Sequence, residues 1–426
     1  MTGKGRITTV DATYRVVTPM FCGGADPRQS AELRLPSFKG VLRFWWRALA
    51  WGRLGGNLDE IHKQEARLFG SAEGGQSRVV MRLKGTPRPH TVDVGSVLGS
   101  DGGKAPHGAK SRMIVGPGAR YLGYGVMGAF GRSAGKLDRP CLRASFNFTV
   151  RMRCRGLTAQ DTKPLKQALV ALGTFGGMGA KSRKGYGSLV LGSLRVDGNA
   201  DWRAPQSIDD LDKAIRSIHE SVPGHRTGIR AEGIPFTVLS PITRHVLLTG
   251  NANHSPLELL DMVGREMVRF RAWGYNGRVL DRVPSERNFK GDHDLMKSGQ
   301  RRTKHPERIA FGLPHNYGRW PDQQVGPADD ALDRRASPLF IHIHLVNDRP
   351  VAVLSLLPAR FLPRPTSSHP GAMPQIKVGG ERVPQRSEDD LFQPIHQFLN
   401  RLTGSGELRG LSRQEPFKDV REVKLR

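Results

Sequence analysis

Cysteine is nearly absent from this chain and acidic residues are scarce: of 426 residues, three are cysteine, and 39 Asp plus Glu stand against 66 Lys plus Arg. Cys22, Cys141 and Cys154 form an odd set with no short spacing. That pattern fits neither a disulfide framework nor a zinc knuckle and reads as reduced, intracellular thiols. No run approaches the roughly 18 apolar residues of a membrane span, and the opening Met-Thr-Gly-Lys-Gly-Arg-Ile lacks the apolar core of a signal peptide. The expected location is the cytoplasm. The apolar fraction of 37% still supports real cores and argues against disorder throughout. The length corresponds to two or three domains of roughly 100–200 residues.

Positive charge is what the chain has in excess. A formal net charge of +27 favours a polyanionic partner. A high-GC genome also enriches Arg and Gly, so the positions of the charges have to decide.

The pattern predicts a strand over 7–17, then a helix capped by Ser37, running to Trp51 and stopped by Gly52. Phe38, Leu42, Trp45 and Leu49 share one face of that helix, and Lys39, Arg43 and Arg47 follow at i, i+4, i+8 along a neighbouring stripe. Strands are expected over 78–84 and 142–154, separated by a glycine-rich insertion or hairpin over 85–135. A helix over 161–172 and a strand over 188–196 follow. This order is that of a ferredoxin-like (RRM-like) domain ending near Asn199. A short helix over 208–220, a strand over 234–248, a helix over 256–272, strands over 339–345 and 351–357 and a helix over 389–402 repeat the order. Residues 275–335 read as a polar, basic loop. The expected architecture is α+β, with tandem ferredoxin-like (RRM-like) domains at 1–200 and 201–426 carrying long loop insertions.

Two stretches concentrate the chemistry. Pro36-Ser-Phe-Lys-Gly-Val-Leu-Arg-Phe-Trp-Trp-Arg47 offers a helix N-terminus beside Lys39 and Arg43, an arrangement that attracts anions. Gly176-Gly-Met-Gly-Ala-Lys-Ser-Arg-Lys-Gly-Tyr-Gly187 brings Gly176, Gly177 and Gly179 together with Lys181, Arg183 and Lys184. Glycines let a backbone approach its ligand closely, and cations beside amides cradle phosphates. Trp46 and Tyr186 are candidates to stack on bases, whereas the helical face of Trp45 is the core face. The loop fails as a Walker P-loop, because Ala180 precedes the lysine and a helix precedes the loop. Gly123-Tyr-Gly-Val-Met-Gly128 matches a dinucleotide fingerprint by spacing alone, without a βαβ unit around it. Asp292-His293-Asp294 and the pair His342 and His344 are the clusters from which a metal or acid–base site would have to be built. The simpler reading puts the two histidines on a solvated strand face. Asp26 reads as a turn-former.

These residues resemble a known family. Pro19-Met-Phe-Cys-Gly-Gly-Ala-Asp26, Glu32-Leu-Arg34, the block 36–47 and the loop 176–187 are similar to signatures of the RAMP proteins of CRISPR systems. More narrowly, the first block resembles the first Cmr subunit of type III-B effector complexes, and Tyr121-Leu-Gly-Tyr-Gly125 and Arg334-Arg-Ala-Ser-Pro-Leu-Phe340 extend the likeness. The resemblance implies tandem RRM-like domains at the head of an antiviral ribonucleoprotein. There the chain would be an RNA-binding, non-catalytic subunit with CRISPR RNA, target RNA and other Cmr subunits as partners, and with no cofactor, metal, membrane or small-molecule substrate. Lys39, Arg43, Arg47, Lys181, Arg183 and Lys184 are the expected phosphate contacts, with Arg34, Arg334 and Arg335 as further candidates. Lysine stands at 181 and 184 where the family usually has arginine, which keeps charge but loses bidentate geometry. Two alternatives remain: a metal-independent CRISPR RNA processing endoribonuclease of the RAMP group, although no histidine lies between His107 and His219, and a purely structural scaffold.

Overall fold

The structure, a computed structural model, describes residues 7–425 except 86, 88, 100–114, 222–228, 275, 281, 298–303, 319–322, 365–373 and 406–414. β1 (Ile7–Val16) turns Val10, Ala12, Tyr14 and Val16 to one side and Thr9, Asp11, Thr13 and Arg15 to the other, the period of a sheet covered on one face. Along the chain follow α1 (Leu35–Arg53), α2 (Leu58–Phe69), β2 (Val79–Lys84), α3 (Pro117–Leu122), β3 (Phe146–Arg155), α4 (Ala159–Phe175), β4 (Leu189–Val196) and β5 (Asn199–Arg203). The sheet order is β2-β3-β1-β4-β5, with every neighbour antiparallel. β1-α1-β2-β3-α4-β4 is thus a ferredoxin-like unit. β5 pairs with β4, so a division at residue 200 would cut this hairpin.

α5 (Ile208–Glu220) leads to the second unit: β6 (Arg244–Thr249), α6 (Pro256–Arg271), α7 (Lys290–Lys297), β7 (Leu339–Val346), β8 (Arg349–Leu356), α8 (Glu388–Thr403) and β9 (Asp419–Glu422). Its sheet runs β7-β8-β6-β9, again antiparallel throughout. Relative to chain order, this matches the β2-β3-β1-β4 part of the first sheet, which alone carries a fifth strand, β5. The tandem α+β architecture expected from the sequence is therefore the architecture of the chain.

Several boundaries differ for physical reasons. α1 begins at Leu35 behind Arg34, which makes no side-chain cap, so Ser37 lies inside the helix. The missing cap is worth about 1 kcal/mol, and burial of Phe38, Leu42, Trp45, Trp46 and Leu49 outweighs it. α4 is longer than its apolar stripe, because Thr158 and Asp161 close a capping box ahead of it. Residues 234–243 are not strand: Ile234, Val238 and Leu239 are apolar because they pack in loops, with the Leu239 N–H donating to the Ala48 carbonyl at 3.0 Å. In the stretch 85–135, α3 is docked on α6, with Gly118 against Gly264 and the Ala119 N–H donating to Asp261 Oδ1 at 3.0 Å. The expected loop 275–335 holds α7 and short paired strands, while Tyr275 lies outside the described residues.

The two sheets are covered differently. α1 and α4 cover the inner face of the first sheet, and their other side meets the second sheet, where Phe340 lies against Trp45 (5.8 Å between rings) and His245 stacks on Phe175 (4.7 Å). α6 and α8 cover the far face of the second sheet, packing on Val246, Leu248, Ile341 and Ile343. The layers therefore run sheet, helices, sheet, helices. β7 and β8 are buried on both faces, which corrects the expected solvated histidine face: His342 and His344 are each 1% exposed, and His342 Nδ1 lies 2.7 Å from the Gly176 carbonyl. No helix among the described residues is long and apolar enough to cross a membrane.

Burial holds these imidazoles neutral, with His342 well below its ordinary range and His344 pulled down to about 4. The unfolded chain takes up protons below about pH 6.5 that folded His344 refuses until near pH 4, so stability falls as pH drops through that window. Urea unfolding midpoints should be lower at pH 5 than at pH 7, and His344→Leu should shrink the difference. Equal midpoints for the native chain at the two pH values would refute this.

Candidate nucleic-acid interface

The cationic stripe of α1 faces α2. Glu65, buried on α2, accepts from Arg43 Nε at 2.6 Å and from Arg47 Nη1 at 2.7 Å, and Lys39 Nζ donates to the Phe69 carbonyl at 2.7 Å. This stripe pairs two helices before it offers anything to a ligand. Trp46 is only 1% exposed beneath the Arg53 guanidinium and against Phe69, so it is not placed to stack on a base. Arg34 is exposed and donates to the Gly24 carbonyl at 3.3 Å, while Asp26 accepts the Arg28 N–H as a turn-former does.

The backbone of the glycine-rich loop is likewise engaged within the protein. Gly179 has φ +92°, and a Cβ there would sit 2.6 Å from the Phe21 carbonyl oxygen; Gly187 has φ +61°, and its Cβ would meet the Met178 carbonyl. Gly176 and Gly177 lie against Trp45 and Gly187. The Ala180 and Gly187 N–H groups donate to the Phe21 and Pro19 carbonyls. These glycines serve the close approach of protein to protein, which corrects their expected role as ligand-facing backbone. Tyr186 is fully buried and donates to the Ala119 carbonyl at 2.7 Å, so it too is unavailable for base stacking.

The cations of the loop gather at the seam between the units. The Ile341 N–H donates to the Arg183 carbonyl at 3.0 Å, and the Arg183 guanidinium lies over Phe340 (4.5 Å) and Phe44 (5.4 Å). Burial and the neighbouring Arg335 pull Arg183 down to about 10, which leaves it charged at neutral pH. Lys181 is lowered by burial and then by Arg139 and Arg334. Lys184 Nζ is buried without a hydrogen-bond partner among the described residues. Burial, then Arg271, Lys181 and Arg183, hold it down to about 7. Arg335 donates to the Arg360 carbonyl at 2.9 Å, and Arg334 is exposed beside Asp333. Lys181, Arg183, Lys184, Arg334 and Arg335 thus fall in one region, joined by Arg139 and Arg271, which no sequence signal marks. Arg271 donates to the Tyr121 hydroxyl at 2.9 Å, tying in a block noted above for its resemblance.

The Asp292-His293-Asp294 cluster is structural. Asp292 accepts from the Glu307 and Arg308 N–H groups and from the Tyr317 hydroxyl, and His293 stacks on Trp273. Among the described residues, no three His, Cys, Asp or Glu side chains converge as a metal site.

The family model described as RAMP superfamily matches residues 13–190. The CRISPR system Cmr subunit Cmr1-2 of Pyrococcus furiosus is 30% identical over 186 residues, covering 42% of this chain and 92% of that protein. The chain belongs to the RAMP superfamily. The resemblance read from the sequence is borne out, and this RAMP chain is a homologue of a Cmr subunit. The apo crystal structure of Cmr1 from Pyrococcus furiosus matches over 98% of this chain and 99% of its own, with TM-score 0.53 and 15% identity, a likeness of fold. A chain of a type III-B Cmr-beta complex bound to cognate target RNA aligns over 83% of this chain and 94% of its own, with TM-score 0.46 and 12% identity.

Lys184 gives the RAMP seam a pH signature. Above about pH 7 the folded amine has shed a proton that the unfolded lysine, with its ordinary value near 10.5, still holds. Stability from this group therefore rises from pH 7 upward. Cys141 and Cys154, pushed up to about 12 and about 11, act oppositely once unfolded thiols ionise near pH 9. Melting temperatures in phosphate-free buffer should rise between pH 7 and 8.5 more steeply in the native chain than in Lys184→Met. Parallel slopes would refute the assignment.

Proposed function

We propose that this chain is an RNA-binding, non-catalytic subunit of a type III-B CRISPR ribonucleoprotein, holding CRISPR RNA or target RNA beside other Cmr subunits in antiviral defence. The observation that carries the reading is the seam, where cations from both units converge around Lys184 and the charges acting on Lys181, Arg183 and Lys184 are themselves cationic. Gathering like charges in a partly desolvated place is unfavourable, and a polyanion is the partner that relieves it. Homology to the Cmr1-2 subunit supplies the setting.

The non-catalytic reading rests on the histidine that folding brings to the glycine loop. His342 reaches the Gly176 carbonyl, but it is buried and held neutral, so it meets neither the access nor the proton affinity of a general acid. Phosphate contact falls to Lys181, Arg139 and Arg334 at the more accessible side of the cluster, and Lys184 and Arg183 lie behind them.

The test uses end-labelled RNA carrying a CRISPR repeat and spacer, with binding and cleavage read on parallel gels across a salt series. Arg139→Ala, Lys181→Ala and Arg334→Ala together should weaken binding to all sequences and lower the slope of log affinity on log salt by about 2, at roughly 0.7 per single-strand contact. Unchanged affinity and slope would defeat the seam as the site, and discrete cleavage products that persist in EDTA would make the chain a processing nuclease.

A further inference from the structure

The outer face of the first sheet is uncovered, and its register lines up cations across three strands. Arg151, Arg153 and Arg155 alternate outward along β3. β2 places Arg82 directly opposite Arg151 and Val80 opposite Arg153, and β1 places Asp11 and Thr9 on the other side of the same two rows. Lys84 and, beyond β1, Arg195 extend the lattice. Two carboxylates sit among them: Asp11 accepts from Arg151 at 2.7 and 2.6 Å, with Lys84 Nζ at 3.6 Å, and Asp197 ends the Arg153–Thr9 row, accepting the Thr9 N–H at 2.7 Å. Arg82, Arg153, Arg155 and Arg195 are exposed. A shallow depression of about 290 Å³ lies between Thr9, Val80, Arg82, Arg151 and Arg153.

Like charges directly opposite on neighbouring strands destabilise a sheet, so Arg82 against Arg151 is a cost that folding alone does not explain. The covered face needs only apolar residues at alternate positions, and threonine would serve the outer positions, as Thr9, Thr13 and Thr149 do. We infer that this open face is a second nucleic-acid surface, where a single RNA strand lies along β3 and is held through its phosphates without reading sequence. Residues two apart on a strand are about 6.8 Å apart, close to the repeat of successive phosphates along one nucleic-acid strand, so Arg151, Arg153 and Arg155 match a phosphate run better than they match scattered carboxylates. Arginine's planar fork suits a phosphate bidentately at the exposed Arg153 and Arg155, while Arg151, whose Nε and Nη2 donate to Asp11, adds charge between Arg82 and β1. β1, β2 and β3 present no aromatic ring among these outward positions, so bases have no platform to stack on and contact falls to the backbone.

The inference concerns a surface distinct from the seam, and the two are separable by experiment. Arg82→Gln, Arg153→Gln and Arg155→Gln together leave the Asp11–Arg151 pair intact. In the full chain this variant should melt no lower than the native chain, since it relieves the Arg82–Arg151 repulsion, yet lose affinity for single-stranded RNA of any sequence and lower the salt slope by about 2. Ultraviolet crosslinking of the native chain to RNA should label peptides containing 79–84 and 146–155. An unchanged slope with no such crosslinks would overturn the inference while leaving the seam reading to its own variant. A slope unchanged in the face of lost assembly with purified Cmr subunits would overturn it in favour of an acidic protein surface, and absence of salt-dependent binding by the native chain would overturn both.

Discussion

The two ferredoxin-like units are joined through one strip of backbone, where the glycine-rich loop of the first lies along β7 of the second. The hydrogen bond from Ile341 to the Arg183 carbonyl, the Ile343 N–H donating to Ser188 Oγ and the His342 contact to Gly176 register the strands of one unit against the loop of the other. Much else follows from this strip. It fixes Phe340 between Phe44, Trp45 and Arg183, buries the histidines of β7, and forces Lys184 into a place where its Nζ has no hydrogen-bond partner among the described residues. The glycines that looked made for a ligand are needed first for this closeness, since carbonyls of residues 21 and 178 occupy the space a side chain would take.

The fold was legible because the βαββαβ order of the first unit, and that of the second up to its last strand, β9, are written in local patterns. β1 alternates cleanly, α4 contains the whole of its apolar stripe, and α5 runs over the same residues expected of it. What was not legible is which face of an element meets another unit. The alternation of Phe340, His342 and His344 with Leu339, Ile341 and Ile343 reads as one wet and one dry face, yet both are dry because α4 and the glycine loop cover the first. Trp46 and Tyr186 failed as stacking residues for the same reason: neighbours from other elements, Phe69 for Trp46 and Ala119 with Phe21 for Tyr186, close over them, with Arg53 of the same helix completing the cover of Trp46.

The candidate site was half legible. Lys181, Arg183 and Lys184 announce themselves as a basic run, but Arg139 and Arg271 reach them only through long-range packing, and Lys39, Arg43 and Arg47 belong to a helix pair organised by Glu65. A partly exposed ion pair adds only about 0–1 kcal/mol, so the α1 arginines retain freedom to contact other groups, yet their resting geometry points to α2. The arginine rows of β2 and β3 were visible as alternation and carried meaning only once the sheet register set them side by side.

The second sheet's cover has a temporal side. Roughly 150 residues separate the glycine loop from the strand that lies on it, and at about 5–20 residues per second a ribosome takes on the order of 10–30 s to supply them. Throughout that interval the first unit stands with the helix face around Trp45 and Phe175 open to water. A nascent chain in this state presents its apolar helix face while its basic outer sheet is already complete.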